Sequence, residues 1–414
     1  MQYFNVAHLF LLTAFVALAL APRSIAGFYY HPRMIAVVHL VTLGWITASI
    51  LGSLYMLGPM TLDMPLKRRR LDTWAFWLFV VGTLGMTSHF WIDEPGGMVW
   101  SAGTVIIGLV LVGTRVLAGL WQSNIPPEIK AHFYLAFVNL LLAATLGLLV
   151  GADKSADVLP GRSLSNVHAH AHLAALGWVL MLVIGAATRL LPMLLPATPP
   201  RGRWVWAGAL TLEVGVLGLT TSLLTGSPMA PPFGLLVLLA LGLFLSRVVS
   251  MLRNRRRASR ALPKPDYGVR QVFLALVSLI GAALLGALIL LAPDGEWKLD
   301  ALIAYGLLGL LGFFGQMVVG VSARLVPLHA WLTTPVGPDG FRPSPPPVAL
   351  PSRSLERAVF WLWAVGFPCL VFGMVRQEAA VIRLAALLLA CAVLAGWRSQ
   401  RLILRRTRSS PSAD

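Results

Sequence analysis

Residues 39–60 read HLVTLGWITASILGSLYMLGPM, residues 172–193 read HLAALGWVLMLVIGAATRLLPM, and residues 310–328 read LLGFFGQMVVGVSARLVPL. Laid in register, Gly44, Gly177 and Gly312 coincide, Gly52, Gly185 and Gly320 follow eight residues on, and Pro59, Pro192 and Pro327 close each segment. The segments stand 133 and 135 residues apart. Small residues at helical spacing let membrane helices approach closely. Three matched positions at a constant interval mark an internal repeat.

Working outward, apolar runs of about twenty residues, the length that crosses about 30 Å of hydrocarbon, recur along the whole chain. With 57% hydrophobic and 12% charged residues among 414, the chain has too little polar side chain to coat a water-soluble globule of its size. The sequence predicts helices over 5–22, 34–60, 73–91, 99–121, 131–151, 166–195, 204–224, 232–252, 270–291, 301–327, 357–374 and 379–398, separated by turn clusters such as DEPGG at 93–97 and APDG at 292–295. The N-terminal run lacks a Lys or Arg n-region and reads as the first membrane helix rather than a cleaved leader. The expected fold is therefore an all-α membrane protein of twelve transmembrane helices in three pseudo-symmetric four-helix repeats. The repeats span 1–130, 131–265 and 266–406, before a disordered tail at 407–414. The proline-rich connector 329–353 reads as an irregular surface loop.

The net charge of +17 lies in short connectors and the tail: Lys67–Arg70, Arg201, Arg203, Arg253–Arg257 and Arg398–Arg408. That is a positive-inside distribution, with lipid as the partner and no duplex-binding stripe for nucleic acid. It orients the chain in a cytoplasmic membrane with both termini cytoplasmic. The starts of the second, sixth and tenth helices then lie on the outer face.

Six of nine histidines fall toward that outer face: His31, His39, His89, and the string NVHAHAH carrying His168, His170 and His172. Metal-competent groups at membrane depth mark functional sites by default. His39 and His172 each precede the first repeat glycine by five residues, where the third repeat has Leu307. Equivalent helices place both at one depth, as bis-histidine ligation of a flat haem requires. On helix six, His168 and His172 share a face, whereas His170 points about 200° away. The absence of any Cys-x-x-Cys-His excludes covalent c-type haem.

At these residues the chain resembles the catalytic subunit of the haem-copper oxidase superfamily, especially its high-affinity oxidase and nitric oxide reductase branches. HAHLAALGWVLMLVIGAATRLLP resembles that family's His-x-His helix, and SILGSLYMLGP in helix two is closer still to its ending. The resemblance implies three four-helix arcs, haem near the outer face and possible respiratory partner subunits. It also implies haem b on His172 with His39, and a second metal or haem site at His170. The sequence departs from the family: its His-x-His lies on helix six rather than ten, and helix seven, WVWAGALTLEVGVLGLTTSL, has no copper-site histidine. NnrS-type haem- and copper-containing membrane proteins are similar in length and helix count.

Two readings from other classes stand beside this one. One is a cofactor-poor transporter or assembly factor. The other is a copper-handling protein using NVHAHAH with Met34 or Met86, since imidazole and thioether suit copper; the candidate metal ligands are His39, His89, His168, His170 and His172. Arg33, Arg162 and Trp91 are the outer-face groups available to haem propionates. Glu213 reads as a snorkelling or arginine-paired carboxylate, with a proton-path role as the other option. Arg189 and Arg324, at matching repeat positions, read as interfacial anchors.

Overall fold

The computed structural model describes residues 1–67, 69–194, 197–200, 202–256, 265–336 and 345–408. Among these no strand occurs. The long helices are α1 (Gln2–Leu20), α2 (Pro32–Thr61), α3 (Arg70–Trp91), α4 (Pro95–Gln122), α5 (Pro127–Ala156), α6 (Ser163–Met193), α7 (Arg203–Thr225), α8 (Ala230–Arg253), α9 (Tyr267–Leu291), α10 (Trp297–Leu332), α11 (Arg353–Arg376) and α12 (Ala379–Arg408). All except α3, eleven in number, are long and apolar enough to cross a bilayer. The exception carries Arg70 and Asp72 in its first turn, where the Asp72 carboxylate accepts from the Arg69 N–H at 2.7 Å. The chain is thus an all-helical protein with the helices of a multi-pass membrane protein.

Starts and stops follow local chemistry. Pro32, Pro95 and Pro127 each occupy a first helical position, where the missing N–H costs nothing. Gly226 ends α7 at φ +64°, a left-handed conformation that glycine adopts without a Cβ clash. Helix α12 continues past the expected end at 398 to Arg408, so residues 407–408 are helical rather than tail; 409–414 lie outside the described residues. Of the proline-rich connector, 329–332 still belong to α10, 347–349 form a single 3₁₀ turn, and 337–344 lie outside the described residues.

The chain forms two compact units, Met1–Leu57 with Ser259–Ala282 and Glu296–Asp414, and Gly58–Ala258 with Ala283–Gly295. The repeat boundaries at 130 and 265 concern likeness between segments; the units concern contact, and the two divisions are independent. In the first unit, α1 lies against α2 where the glycines are. A Cβ on Gly44 would fall 2.7 Å from Phe10 Cβ, and one on Gly52 would fall 2.9 Å from the Phe4 ring. Helix α9 meets α10 in the same way, with Gly312 against Ser278 and Gly320 against the Gly268 carbonyl at 2.8 Å each. The Trp45 and Trp363 rings stack at 5.8 Å, joining α2 to α11.

In the second unit, a Cβ on Gly177 of α6 would fall 2.9 Å from Asn139 of α5, and one on Gly185 would fall 2.6 Å from His132. All three glycine pairs therefore admit the helix that precedes them. The α3–α4 and α7–α8 hairpins use small residues too: a Cβ on Gly82 would fall 2.7 Å from the Val105 backbone nitrogen, and one on Gly215 would fall 2.9 Å from that of Val237.

Sequence periodicity gives no hint of one backbone feature. Immediately after His39, His172 and Leu307, the helices widen into eight-residue π segments: Leu40–Thr47, Leu173–Leu180 and Leu308–Gly315. Each has an aligned glycine (Gly44, Gly177, Gly312) as its fifth residue. π-turns are rare and concentrate at functional positions.

Arg189 and Arg324 make tertiary bonds rather than acting only as surface anchors. Arg189 Nε donates to the Thr61 carbonyl at 3.0 Å, and Arg324 pairs with Asp266. Gly320→Ala should destabilise the protein by about 1–3 kcal/mol because the new methyl meets backbone that cannot yield, and such overpacking costs about that much. Gly242→Ala, with nothing within 4 Å of its Cβ, should be neutral or mildly stabilising. Denaturant unfolding of the two purified variants in detergent compares them directly.

Candidate functional site

His39 and His172 share one local geometry. Each is the last residue of an α segment before a π segment. Each ring has Nδ1 2.8 Å from the carbonyl four residues back, Ile35 for His39 and His168 for His172. A carbonyl only accepts, so Nδ1 carries the proton and the lone pair sits on Nε2. Histidines that bind metal are usually prepared in this way, the second nitrogen donating to a backbone carbonyl or carboxylate. The same bond occurs at His8, His89 and His132, at 2.6, 2.7 and 2.7 Å, so it prepares a ligand without selecting one. What sets His39 and His172 apart is their matched place ahead of the π segments. His39 belongs to the first unit and His172 to the second.

Within the second unit, His170 turns away from His168 and His172. Its Nδ1 lies 3.0 Å from the Ala143 carbonyl of α5, and its ring fills the space beside Gly147. His89 sits in the α3–α4 hairpin, its Nδ1 3.4 Å from Ser101 Oγ and its ring against Gly97. Among the described residues no three His, Cys, Asp or Glu side chains gather as a metal-holding group. His31 caps α2 by accepting from the Arg33 N–H at 3.3 Å, and His8 stacks on Trp397 at 6.3 Å. Of the groups considered for propionates, Arg33 lies in the first turn of α2, Arg162 is the N-cap of α6, and Trp91 ends α3.

Among the described residues Glu213 is bonded to an amide rather than paired with an arginine. It accepts from Asn139 Nδ2 at 2.8 Å, while the same amide group reaches the Gly177 carbonyl at 3.3 Å. Asn139 is 0% exposed. One amide thereby ties α5 to α7 and to the π segment of α6. Asn139 stands alone in the apolar run YLAFVNLLLAA, a signal legible in the sequence, but its partner lies 74 residues away.

The first unit has a comparable amide pair. Gln271 Nε2 donates to Gln316 Oε1 at 3.1 Å, and both residues are 2% exposed. Gln316 is the first residue after the third π segment. Gln271 also lines a cavity of about 70 Å³ among α9, α10, α11 and α12, together with Tyr267, Ser322, Glu356, Phe360 and Gln400.

No family model matches this chain, and no characterised protein matches it significantly. The class that the fold defines is an all-helical protein with membrane-length helices, carrying half-buried imidazoles and buried amides at its irregular backbone segments.

Asn139→Leu should leave the Glu213 carboxylate without its donor and cost about 1–3 kcal/mol, the usual penalty for orphaning a buried polar group. Glu213→Gln keeps an acceptor for Asn139 and should unfold near the wild-type midpoint. Thermal unfolding of both variants in the same detergent checks the pair.

Proposed function

We propose that this chain is an integral membrane haem protein of haem-copper-oxidase-like architecture, acting in electron transfer or diatomic-gas chemistry. Its twelve helices form three four-helix repeats in a cytoplasmic membrane, and His39 and His172 are the residues that would hold b-type haem. The observation that carries this reading is the identical preparation of His39 and His172. Both stand at the same repeat position, and both have Nδ1 committed to an i−4 carbonyl at 2.8 Å. A neutral imidazole with its lone pair on Nε2 is the donor that haem iron takes from histidine. The residues present therefore fit the group.

Bound haem supplies reversible one-electron chemistry and an affinity for small gases. The chain's own part is to fix the imidazole tautomer through the backbone, to keep the rings in a helical frame, and to exclude water with the surrounding apolar residues. Leu307, apolar and unable to ligate, stands at the corresponding position in α10, so the third repeat contributes no such ligand. His170, turned to α5, is the candidate for a second metal or haem. The positive-inside rule places the ends of α2, α6 and α10 near Thr61, Met193 and Leu332 on the cytoplasmic side.

Purified wild-type protein should show a sharp low-spin b-type spectrum in the reduced-minus-oxidised difference. His39→Ala and His172→Ala should each abolish it and leave membrane insertion intact, since the helices are held by lipid and small-residue packing. Complete loss in both single variants assigns the two histidines to one haem; half the signal lost in each assigns one haem to each. A normal spectrum in both variants would refute the ligand assignment. Orientation is checked separately: a single cysteine in the 151–163 connector should react with a membrane-impermeant maleimide from the outer side of intact cells. Labelling only after the membrane is opened would invert the topology.

A further inference from the structure

We infer that the first unit holds a site for the headgroup of an aminoethyl phospholipid, in the cavity among α9, α10, α11 and α12. The ammonium seats against Glu356, and the phosphate rests on Arg270 and Arg353. The inference is independent of the haem reading. The cavity lies toward one end of all four helices. Tyr267 is the first residue of α9, and Glu356 stands in the first turn of α11. Val326 is six residues short of the end of α10 at Leu332, and Gln400 is eight short of the end of α12 at Arg408. Helix ends are the depth at which a spanning helix meets lipid headgroups.

The lining is mixed. Val326, Val359 and Ile403 offer apolar walls, and the Tyr267 and Phe360 rings, 5.6 Å apart, offer aromatic faces of the kind that attract a cation. Against these stand Ser322, Ser399 and Gln400, whose side chains make no bond to another described residue. Gln271, 2% exposed, lines the cavity as well. Its Nε2 is spent on Gln316, while its Oε1 is buried with no partner among the described residues, and an orphaned carbonyl oxygen calls for a donor.

Among the described residues lining the cavity, Glu356 alone is charged. Its Oε2 lies 3.9 Å from Arg353 Nη1, beyond hydrogen-bond length, and Arg353 Nη2 donates instead to the Pro265 carbonyl at 3.1 Å. Acceptors around one negative charge suit a cation that carries N–H groups. A metal ion would need oxygen ligands on all sides, which the valine and aromatic walls do not give. At about 70 Å³ the cavity has room for about five water-sized groups of about 10–15 Å³ each, the scale of an aminoethyl group.

The phosphate has its own partners. Arg270 and Arg353 are both exposed, and their guanidinium carbons stand 5.8 and 5.9 Å from the centre of the cavity-lining Tyr267 ring. Guanidinium groups are preferred partners of phosphate oxygens. Arg324 is already paired with Asp266. A negative group inside and arginines beside it match a headgroup whose ammonium enters first and whose phosphate follows.

The test uses the full-length protein in a neutral detergent. Phosphatidylethanolamine, phosphatidylcholine or phosphatidylglycerol is added at equal mole fraction, or free ethanolamine without lipid, and thermal unfolding is followed. The expected result is a saturable rise in midpoint with phosphatidylethanolamine alone, since a ligand of the native state stabilises it by mass action. Choline keeps the positive charge but has no N–H to donate, and the glycerol headgroup has no ammonium. Glu356→Gln should raise the half-saturating lipid fraction at least about tenfold, as loss of a charged hydrogen-bond partner does. Arg270→Gln, at an exposed side chain, should raise it about two- to fivefold, and carries the test if Glu356→Gln fails to insert. No rise with phosphatidylethanolamine overturns the proposal. So does an equal rise with either other lipid, or a wild-type response in both variants. The full response from free ethanolamine overturns the lipid as the occupant.

Discussion

Hydrocarbon offers no water to a backbone N–H or carbonyl, so each such group must be satisfied within the protein, and only helices do this inside a single segment. From that constraint follow the long apolar helices, and also the difficulty of packing them. Lipid tails are as apolar as leucine, so helices gain little from mere contact and associate where backbones come close enough for dispersion and polar bonds to act. The glycine pairs provide that closeness. Gly44 and Gly52 admit α1, Gly177 and Gly185 admit α5, and Gly312 and Gly320 admit α9. At Gly320 the approach is backbone to backbone, so no side chain larger than hydrogen fits without displacing a helix.

The same constraint governs the few polar side chains inside. Asn139 spends one amide on Glu213 and on the Gly177 carbonyl, and Gln271 pairs with Gln316. Both arrangements touch a π segment or its boundary. A π segment shifts hydrogen bonds from the i−4 to the i−5 carbonyl and disturbs the backbone at its ends, which is where a buried amide finds something to bond. Close approach at the fifth π residue and polar bonding around it are therefore linked. At Gly177 and Gly312 the glycine lets the neighbouring helix in and the neighbour brings a polar group, whereas at Gly44 it brings Phe10.

Much of this was legible in the sequence because lipid solvation simplifies the code. Runs of apolar residues gave the helices to within a few residues at most ends, and α12 was misjudged because its last turns, rich in arginine, look like a tail until they are seen to continue the helix to Arg408. The glycine alignment identified the seams. The π segments were not legible, since LVTLGWIT, LAALGWVL and LGLLGFFG carry no proline or polar breaker. Long-range polar partners were hidden for a different reason. Glu213 is an ordinary candidate for an arginine partner until α5 is laid beside α7.

The third π segment, Leu308–Gly315, bears on how the proposed ligand positions relate to the frame. It follows Leu307, which cannot bind metal, yet it has the same length as the segments that follow His39 and His172. The backbone irregularity is thus not a product of ligation by the preceding residue. It belongs to the helix and to the glycine that admits its neighbour, and the histidines are single-residue additions at its edge. A position just ahead of a widened turn has its i−4 carbonyl still in α-helical register, so an imidazole placed there finds its Nδ1 acceptor already aligned. On this account the frame supplies the orientation, and the identity of one residue per helix decides whether that orientation is used.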